Sequence, residues 1–325
     1  MRKRRIKVIH GDGFYHCMTR TVNGDRLLKS QDKEVLRRMI RQVADFSGVD
    51  VLTYCVMDNH FHVLIRIAHN AKEVSDSEIV RRYRCLYPSG GKYQQMTPDI
   101  LKHLLQNNDH QALTVKEGIV KRMGDVSEFM KTLKQRFSVY YNQNHGRYGT
   151  LWAERFKSVL VEPENKAILA IAAYIDLNPV RAGITEDPKE YRYCGYAEAL
   201  AGNRKAKKGL SVALVGHVTK VRRSTLAHYR MVLFGIGSHQ QKEGRREISK
   251  KYALRVLEKE KGRVPLFVLL RCRLRYFTDG LVLGSESYLK AHLGDPLRRI
   301  KKIPMSNAGW AEISVGKGFR GPTIL

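Results

Sequence analysis

An α+β fold, with helices packed on a mainly antiparallel sheet, is predicted by three features of the sequence. Strand-like and helical patterns alternate through the first 200 residues, two β-rich runs are separated by only two turn-forming residues, and helical patterning takes over beyond residue 200. The chain has 325 residues, enough to bury a core without a disulfide or metal staple.

The first strand is expected at Phe14-Tyr-His-Cys-Met-Thr-Arg20, followed by a turn at Asn23-Gly24. Residues 31–46 then repeat apolar side chains at helical spacing (Val35, Met39, Ile40, Val43, Phe46). Val51-Leu-Thr-Tyr-Cys-Val-Met57 and His60-Phe-His-Val-Leu-Ile-Arg-Ile67 follow, and the Asp58-Asn59 break between them reads as the turn of a hairpin. Residues of about 73–125 are polar and irregular, with helical fragments, and are read as an insertion. From residue 126 to 142 an amphipathic helix places Phe129, Met130, Leu133, Phe137 and Tyr140 on one stripe. A strand at 156–162 and a strongly apolar helix at 165–177, stopped by Pro179, complete a first domain of residues 1–200.

Residues 201–212 open with a small, basic, turn-rich string and are expected to form a linker. A C-terminal helical domain is expected over 213–302, with helical patterns at 249–261 and 265–276. A glycine-bearing turn at 279–284 and a short helix capped by Ser285 follow, an order compatible with a helix-turn-helix DNA-binding module. Residues 303–325 are expected to be a tail.

Lys and Arg number 59 against 31 Asp and Glu, a formal charge of +28. Residues 201–325 hold 27 basic and 8 acidic side chains, so the excess is concentrated toward the C-terminus. A polyanion is the expected partner, although charge alone does not separate DNA from RNA or from an anionic membrane. The charged start meets Gly11-Asp12-Gly13 at once, unlike a signal peptide, and no apolar run approaches bilayer length. The five cysteines are scattered and never in Cys-x-x-Cys spacing, which fits a reducing compartment; a cytoplasmic, nucleoid-associated protein without a membrane partner is expected.

The candidate chemistry lies in two places. Side chains alternate faces along a strand, so His60 and His62 point the same way, roughly 6–7 Å apart along the backbone, and can share a metal ion. Taken alone, the pair fits equally two strand histidines that pack or face water. Val63-Leu64-Ile65-Arg66 adds no further ligand, so a third must come from elsewhere. Tyr174 and Asn178 lie four apart on the apolar helix, with Cβ atoms about 5–6 Å apart if the helix continues that far. A tyrosine on such a helix also fits a plain core position, and Pro179 biases Asn178 away from helical geometry.

Met57-Asp-Asn-His-Phe-His-Val-Leu-Ile65 resembles the histidine-hydrophobic-histidine motif of the HUH single-tyrosine transposases. Tyr174-Ile-Asp-Leu-Asn-Pro-Val-Arg-Ala-Gly183 and Gly149-Thr-Leu-Trp-Ala-Glu-Arg-Phe-Lys-Ser158 are similar to segments of their REP-associated tyrosine transposase branch. The resemblance spans most of residues 10–200. It implies a ferredoxin-like HUH core, a divalent ion (Mg²⁺ or Mn²⁺) on His60, His62 and Asn178, and Tyr174 as a nucleophile that leaves a 5′-phosphotyrosine and a free 3′-hydroxyl on single-stranded or hairpin DNA with REP-like repeats. The third ligand is a glutamine in insertion-sequence relatives, one methylene longer than Asn178. Either a monomer or a homodimer fits the family.

Lys131, Lys134, Arg136, Trp152, Arg155 and Lys157 combine basic and aromatic character as single-strand binding requires, and are candidate DNA contacts. Two readings compete with the transposase: a non-catalytic, domesticated nucleic-acid-binding regulator, and a metal-dependent nuclease that uses water.

Overall fold

The computed structural model describes residues 5–70, 74–89, 96–107, 109–163, 167–214, 225–237, 281–293, 300–302 and 314–316. The alternation read from the sequence is realised as strand β1 (Gly13–Arg20), helix α1 (Ser30–Ser47), strands β2 (Val49–Val56) and β3 (His60–Ile67), helices α2 (Asp76–Leu86), α3 (Pro98–Gln106) and α4 (His110–Lys121), helix α5 (Val126–Asn144) and strand β4 (Lys157–Val161). With α2–α4 set aside, this is the β-α-β-β-α-β order of a ferredoxin-like unit, in the spatial order β2-β3-β1-β4. All three pairings among these strands are antiparallel. The expected α+β fold is present.

The insertion is more regular than its polarity suggests. Each of its helices starts on a side-chain cap: Ser75 accepts from the Glu78 amide, Thr97 from Ile100, and Asp109 from Gln111 and Ala112. Asp125 caps α5 in the same way.

Period-two alternation divides the sheet into two cores. Phe61, Val63 and Ile65 of β3 pack with Leu36 and Ile40 of α1 and with Phe129, Leu133 and Phe137 of α5. Leu64 of β3, with Phe14 and Met18 of β1, faces helix α6 (Ala167–Asp176) on the other side. The short helix α7 (Asn178–Arg181) follows α6 after one residue, Leu177. Pro179 stands in its first turn, where a missing N–H costs nothing, so Asn178 opens a new helical turn where the sequence suggested a stop.

Four expectations beyond residue 200 are corrected. The basic string expected as a linker is helix α9 (Arg204–Leu214), preceded by helix α8 (Gly195–Leu200). Ala206, Gly209, Leu210 and Ala213 form the buried stripe of α9, and a Cβ on Gly209 would lie 2.5 Å from the Val51 carbonyl oxygen and 2.6 Å from that of Leu52. The helix therefore sits directly on β2, where the ladder bulges between Val51 and Thr53. Helix α10 (Thr225–Gly237) packs Tyr229, Val232, Leu233 and Phe234 into the same core as α6, so these residues share one core with the first 200. The segment expected as a glycine-bearing turn contains strand β5 (Val282–Gly284), which pairs parallel with β4, and helix α11 (Glu286–Leu293) follows, with the Ser285 hydroxyl accepting from the Tyr288 amide.

Strands β6 (Ile300–Lys302) and β7 (Ser314–Gly316) extend the sheet in the order β5-β7-β6, so part of the expected tail is a strand. The helical patterns at 249–261 and 265–276 lie outside the described residues. Among the described residues no helix is long and apolar enough to cross a membrane.

Candidate active site between the central strands and helix α6

The site is set by the β1–β3 register, in which Arg20 pairs with His60 and Met18 with His62. His60 and His62 point to the α6 side, their rings in a T-shaped arrangement with centroids 5.1 Å apart. From α6, Tyr174 comes down onto them, its ring centroid 5.8 Å from that of His62. The expected His-Tyr pairing is thus brought together from elements more than 100 residues apart. Tyr174 is buried but is not surrounded by apolar groups alone.

His16, which the sequence reading passed over, completes the cluster. Its Nε2 lies 3.0 Å from His62 Nδ1, the two rings are stacked at 5.1 Å, and it stands edge-on to Tyr174 at 6.0 Å. His60 Nδ1 is 2.6 Å from the Asn59 side-chain oxygen. Burial, with the charges of Arg20 and Arg181 nearby, lowers the pKa of His60 to about 4; burial, with His16 and His60 beside it, holds His62 well below the usual histidine range. Both imidazoles are therefore neutral near pH 7, the form that can ligate a metal.

Asn178 is buried, and its Nδ2 donates to the Tyr174 and Ile175 carbonyls at 3.2 and 3.1 Å. Those bonds leave Oδ1 as the end of the amide able to face a cation. Among the described residues, no group of three or more His, Cys, Asp or Glu side chains is placed to hold a metal.

Arg181, three residues beyond Asn178, lays its guanidinium over the Tyr174 ring at 4.3 Å. With the exposed Arg20 beside His60, it makes the surroundings of the phenol electropositive. Helix α6 is itself anchored by Asp176, two residues after Tyr174. Its fully buried carboxylate accepts from Thr53 Oγ1 at 2.9 Å, from the Tyr229 hydroxyl at 2.6 Å and from the Tyr196 amide at 3.2 Å. Burial raises its pKa to about 7 despite these donors. A single acidic residue inside an apolar helical run was the available signal for Asp176. Arg181 had only its place one helical turn past Asn178.

The candidate DNA contacts are spread over other parts of the structure. Trp152, expected to stack on bases, is a core residue of the opposite face. It is 6% exposed, packs edge-on to Phe61 and against Phe137, and donates its indole N–H to the Lys134 carbonyl. An isolated bridge to Thr21 turns it there. Lys134 donates to the Glu154 carbonyl at 2.7 Å, and burial lowers its pKa to about 8. Arg136 donates to the Leu86 carbonyl. Lys131 and Lys157 form loose pairs with Glu128 and Glu154, and Arg155 is exposed. These basic residues lie along α5 and the approach to β4, where Lys157 pairs with Met18, the β1 residue that also pairs with His62.

Residues 11–109 match the family described as IS200-like transposases. A solved structure described as a REP-associated tyrosine transposase bound to a REP hairpin aligns over 62% of this chain and 87% of its own, at 14% identity and a TM-score of 0.39. No curated protein matches significantly. The matched segment, 11–109, holds both motif histidines and is similar to the IS200-like transposases.

Proposed function

We propose that the chain cuts and rejoins single-stranded or hairpin DNA, with Tyr174 as nucleophile and His60, His62 and Asn178 as ligands of a divalent cation. The observation that carries this reading is the convergence of His60, His62 and Tyr174 on one face of the sheet, with neighbouring ring centroids within 6 Å. Two neutral imidazoles and an amide oxygen suit Mg²⁺ or Mn²⁺ better than thiolates would, and as a small ligand set they leave room for water and phosphate. When bound, such an ion polarises a phosphate and neutralises charge that develops on it.

The residues divide the remaining work. A phenol is a weak nucleophile at neutral pH, so it must be placed in line with the phosphorus and lose its proton as it attacks. Tyr174 Oη forms a bond to phosphorus while the bond from phosphorus to the 3′ oxygen breaks. The departing 3′ oxygen takes up a proton, and the strand is left as a 5′-phosphotyrosine and a free 3′-hydroxyl. Rejoining is the reverse attack by a 3′-hydroxyl, which returns the phenol. Arg181, on the ring of Tyr174, and Arg20, beside His60, are placed to hold phosphate oxygens. The +28 charge of the chain favours a polyanionic substrate.

The test incubates the protein and Mn²⁺ with end-labelled hairpin and single-stranded oligonucleotides from beside its own gene, followed by a denaturing gel and peptide mapping of any adduct. The expected result is a chelator-sensitive covalent adduct at Tyr174. A free 5′-phosphate without an adduct would replace the tyrosine mechanism with hydrolysis by water, and chelator-resistant binding without cleavage of any substrate would leave a DNA-binding regulator.

A further inference from the structure

A neutral imidazole carries one N–H and one lone pair, and the hydrogen bond made by one nitrogen decides whether the other can bind a metal. In this site both motif histidines have Nδ1 engaged, each by a different residue.

The Asn59 amide is fixed in orientation, because its Nδ2 donates to the Gly24 carbonyl at 2.8 Å. The oxygen turned toward His60 can only accept, so at 2.6 Å from it His60 Nδ1 must carry the proton. The lone pair of His60 is thereby left on Nε2. The loop that presents Asn59 is itself held, its backbone carbonyl accepting from the Thr21 amide at 2.9 Å and from the Thr21 hydroxyl at 3.0 Å.

His62 meets His16 instead. His16 is fully buried on β1, diagonal to His62 across the β1–β3 ladder, with Nε2 at 3.0 Å from His62 Nδ1. Two arrangements of the shared proton fit that distance. Only the one in which His62 donates and His16 accepts leaves the Nε2 lone pair of His62 available, matching His60.

We propose that Asn59 and His16 are the positioning residues of this site, holding His60 and His62 in the Nδ1–H tautomer so that both present Nε2 to one cation. This deepens the reading of the site as a cation site and rests on it. Asn59 then does more than make the hairpin turn, and His16 is an outer partner of the motif.

The experiment has two readouts. Long-range ¹H–¹⁵N correlation spectra of the metal-free protein report the tautomer of each histidine without any cation. Nδ1–H on both His60 and His62 is expected, and an Nε2–H on either overturns the proposal for that residue. Mn²⁺ titration by calorimetry then compares the parent protein with His16→Phe, His16→Gln and Asn59→Leu. The expected loss is about 10–100-fold in affinity for His16→Phe and Asn59→Leu, with partial recovery in His16→Gln, whose amide oxygen accepts from His62. An unchanged affinity in His16→Phe, with the His62 tautomer also unchanged, overturns the role of His16. If the parent protein binds no Mn²⁺, the cation reading fails, while the tautomer assignment is still decided by the metal-free spectrum. That spectrum also decides should the buried His16 variants not fold.

Discussion

The two faces of the central sheet are built from the same strands and differ in what they bury. On the α1/α5 side, Phe61, Val63 and Ile65 close against leucine, isoleucine and phenylalanine in an apolar cluster. On the α6 side the next residues along the same strands bring in His16, His60, His62 and Thr53, and helices α6 and α7 add Asp176 and Asn178. Buried polar groups of this kind cost stability unless paired. His16 with His62, and Asp176 with Thr53, Tyr196 and Tyr229, are paired with one another across elements. One face therefore supplies stability and the other gives up part of it to a buried polar cluster, and neighbouring residues of β3 should respond to substitution in opposite ways.

The largest effect on stability is expected on the apolar face. Phe61 is fully buried against Trp152, so Phe61→Ala should cost about 3–5 kcal/mol in denaturant unfolding. A loss below about 1 kcal/mol would show that this face is not the stabilising one. His62→Ala, one residue away, should instead abolish Mn²⁺ binding at a smaller cost in stability.

Next comes the seat of α9. A methyl group at Gly209 would meet the Val51 and Leu52 carbonyl oxygens, and Gly209→Ala should destabilise by about 1–3 kcal/mol, read as a lower melting temperature. If α9 were a linker, as its basic composition suggested, the same change would leave the melting temperature unaltered.

A smaller effect distinguishes the ion pair that ties α10 to the site face. Asp187 is almost fully buried, and burial alone would raise its pKa. The hydrogen bonds from Arg230 and from the Lys189 amide outweigh this and lower it. A depressed folded-state pKa contributes stability that is present above the unfolded value of about 3.9 and is lost as pH falls through the folded value. The difference in melting temperature between the parent protein and Asp187→Asn should thus persist from neutral pH down to about pH 4 and shrink below it. A difference that stayed constant to pH 2 would remove Asp187 as the source.

How much of this was legible follows from how local each feature is. The β3 motif could be read because period-two alternation and a two-residue turn are properties of consecutive residues. The joint appearance of His60, His62, Tyr174 and Asn178 could be read because the motifs resemble those of a known family. His16 could not, since its meaning depends on the β1–β3 register, and nothing near it in sequence says that it faces His62. Trp152 was misplaced for the converse reason: it is close to basic residues in sequence, but the bridge to Thr21 turns it into the opposite core. The small, basic composition of residues 204–214 masked a buried stripe at Ala206, Gly209, Leu210 and Ala213. That 3,4-spaced pattern is helical, and small residues permit the close approach to β2 that larger ones would prevent.

The central claim is that the α6 face performs chemistry through one phenol, and the Tyr174→Phe variant tests it most directly. Removing a single oxygen leaves the ring, its contact with Arg181 and its place beside His62 in being. The account predicts loss of the covalent protein–DNA adduct on a denaturing gel, with DNA binding and melting temperature within experimental error of the parent protein. An adduct of undiminished yield in that variant would contradict it.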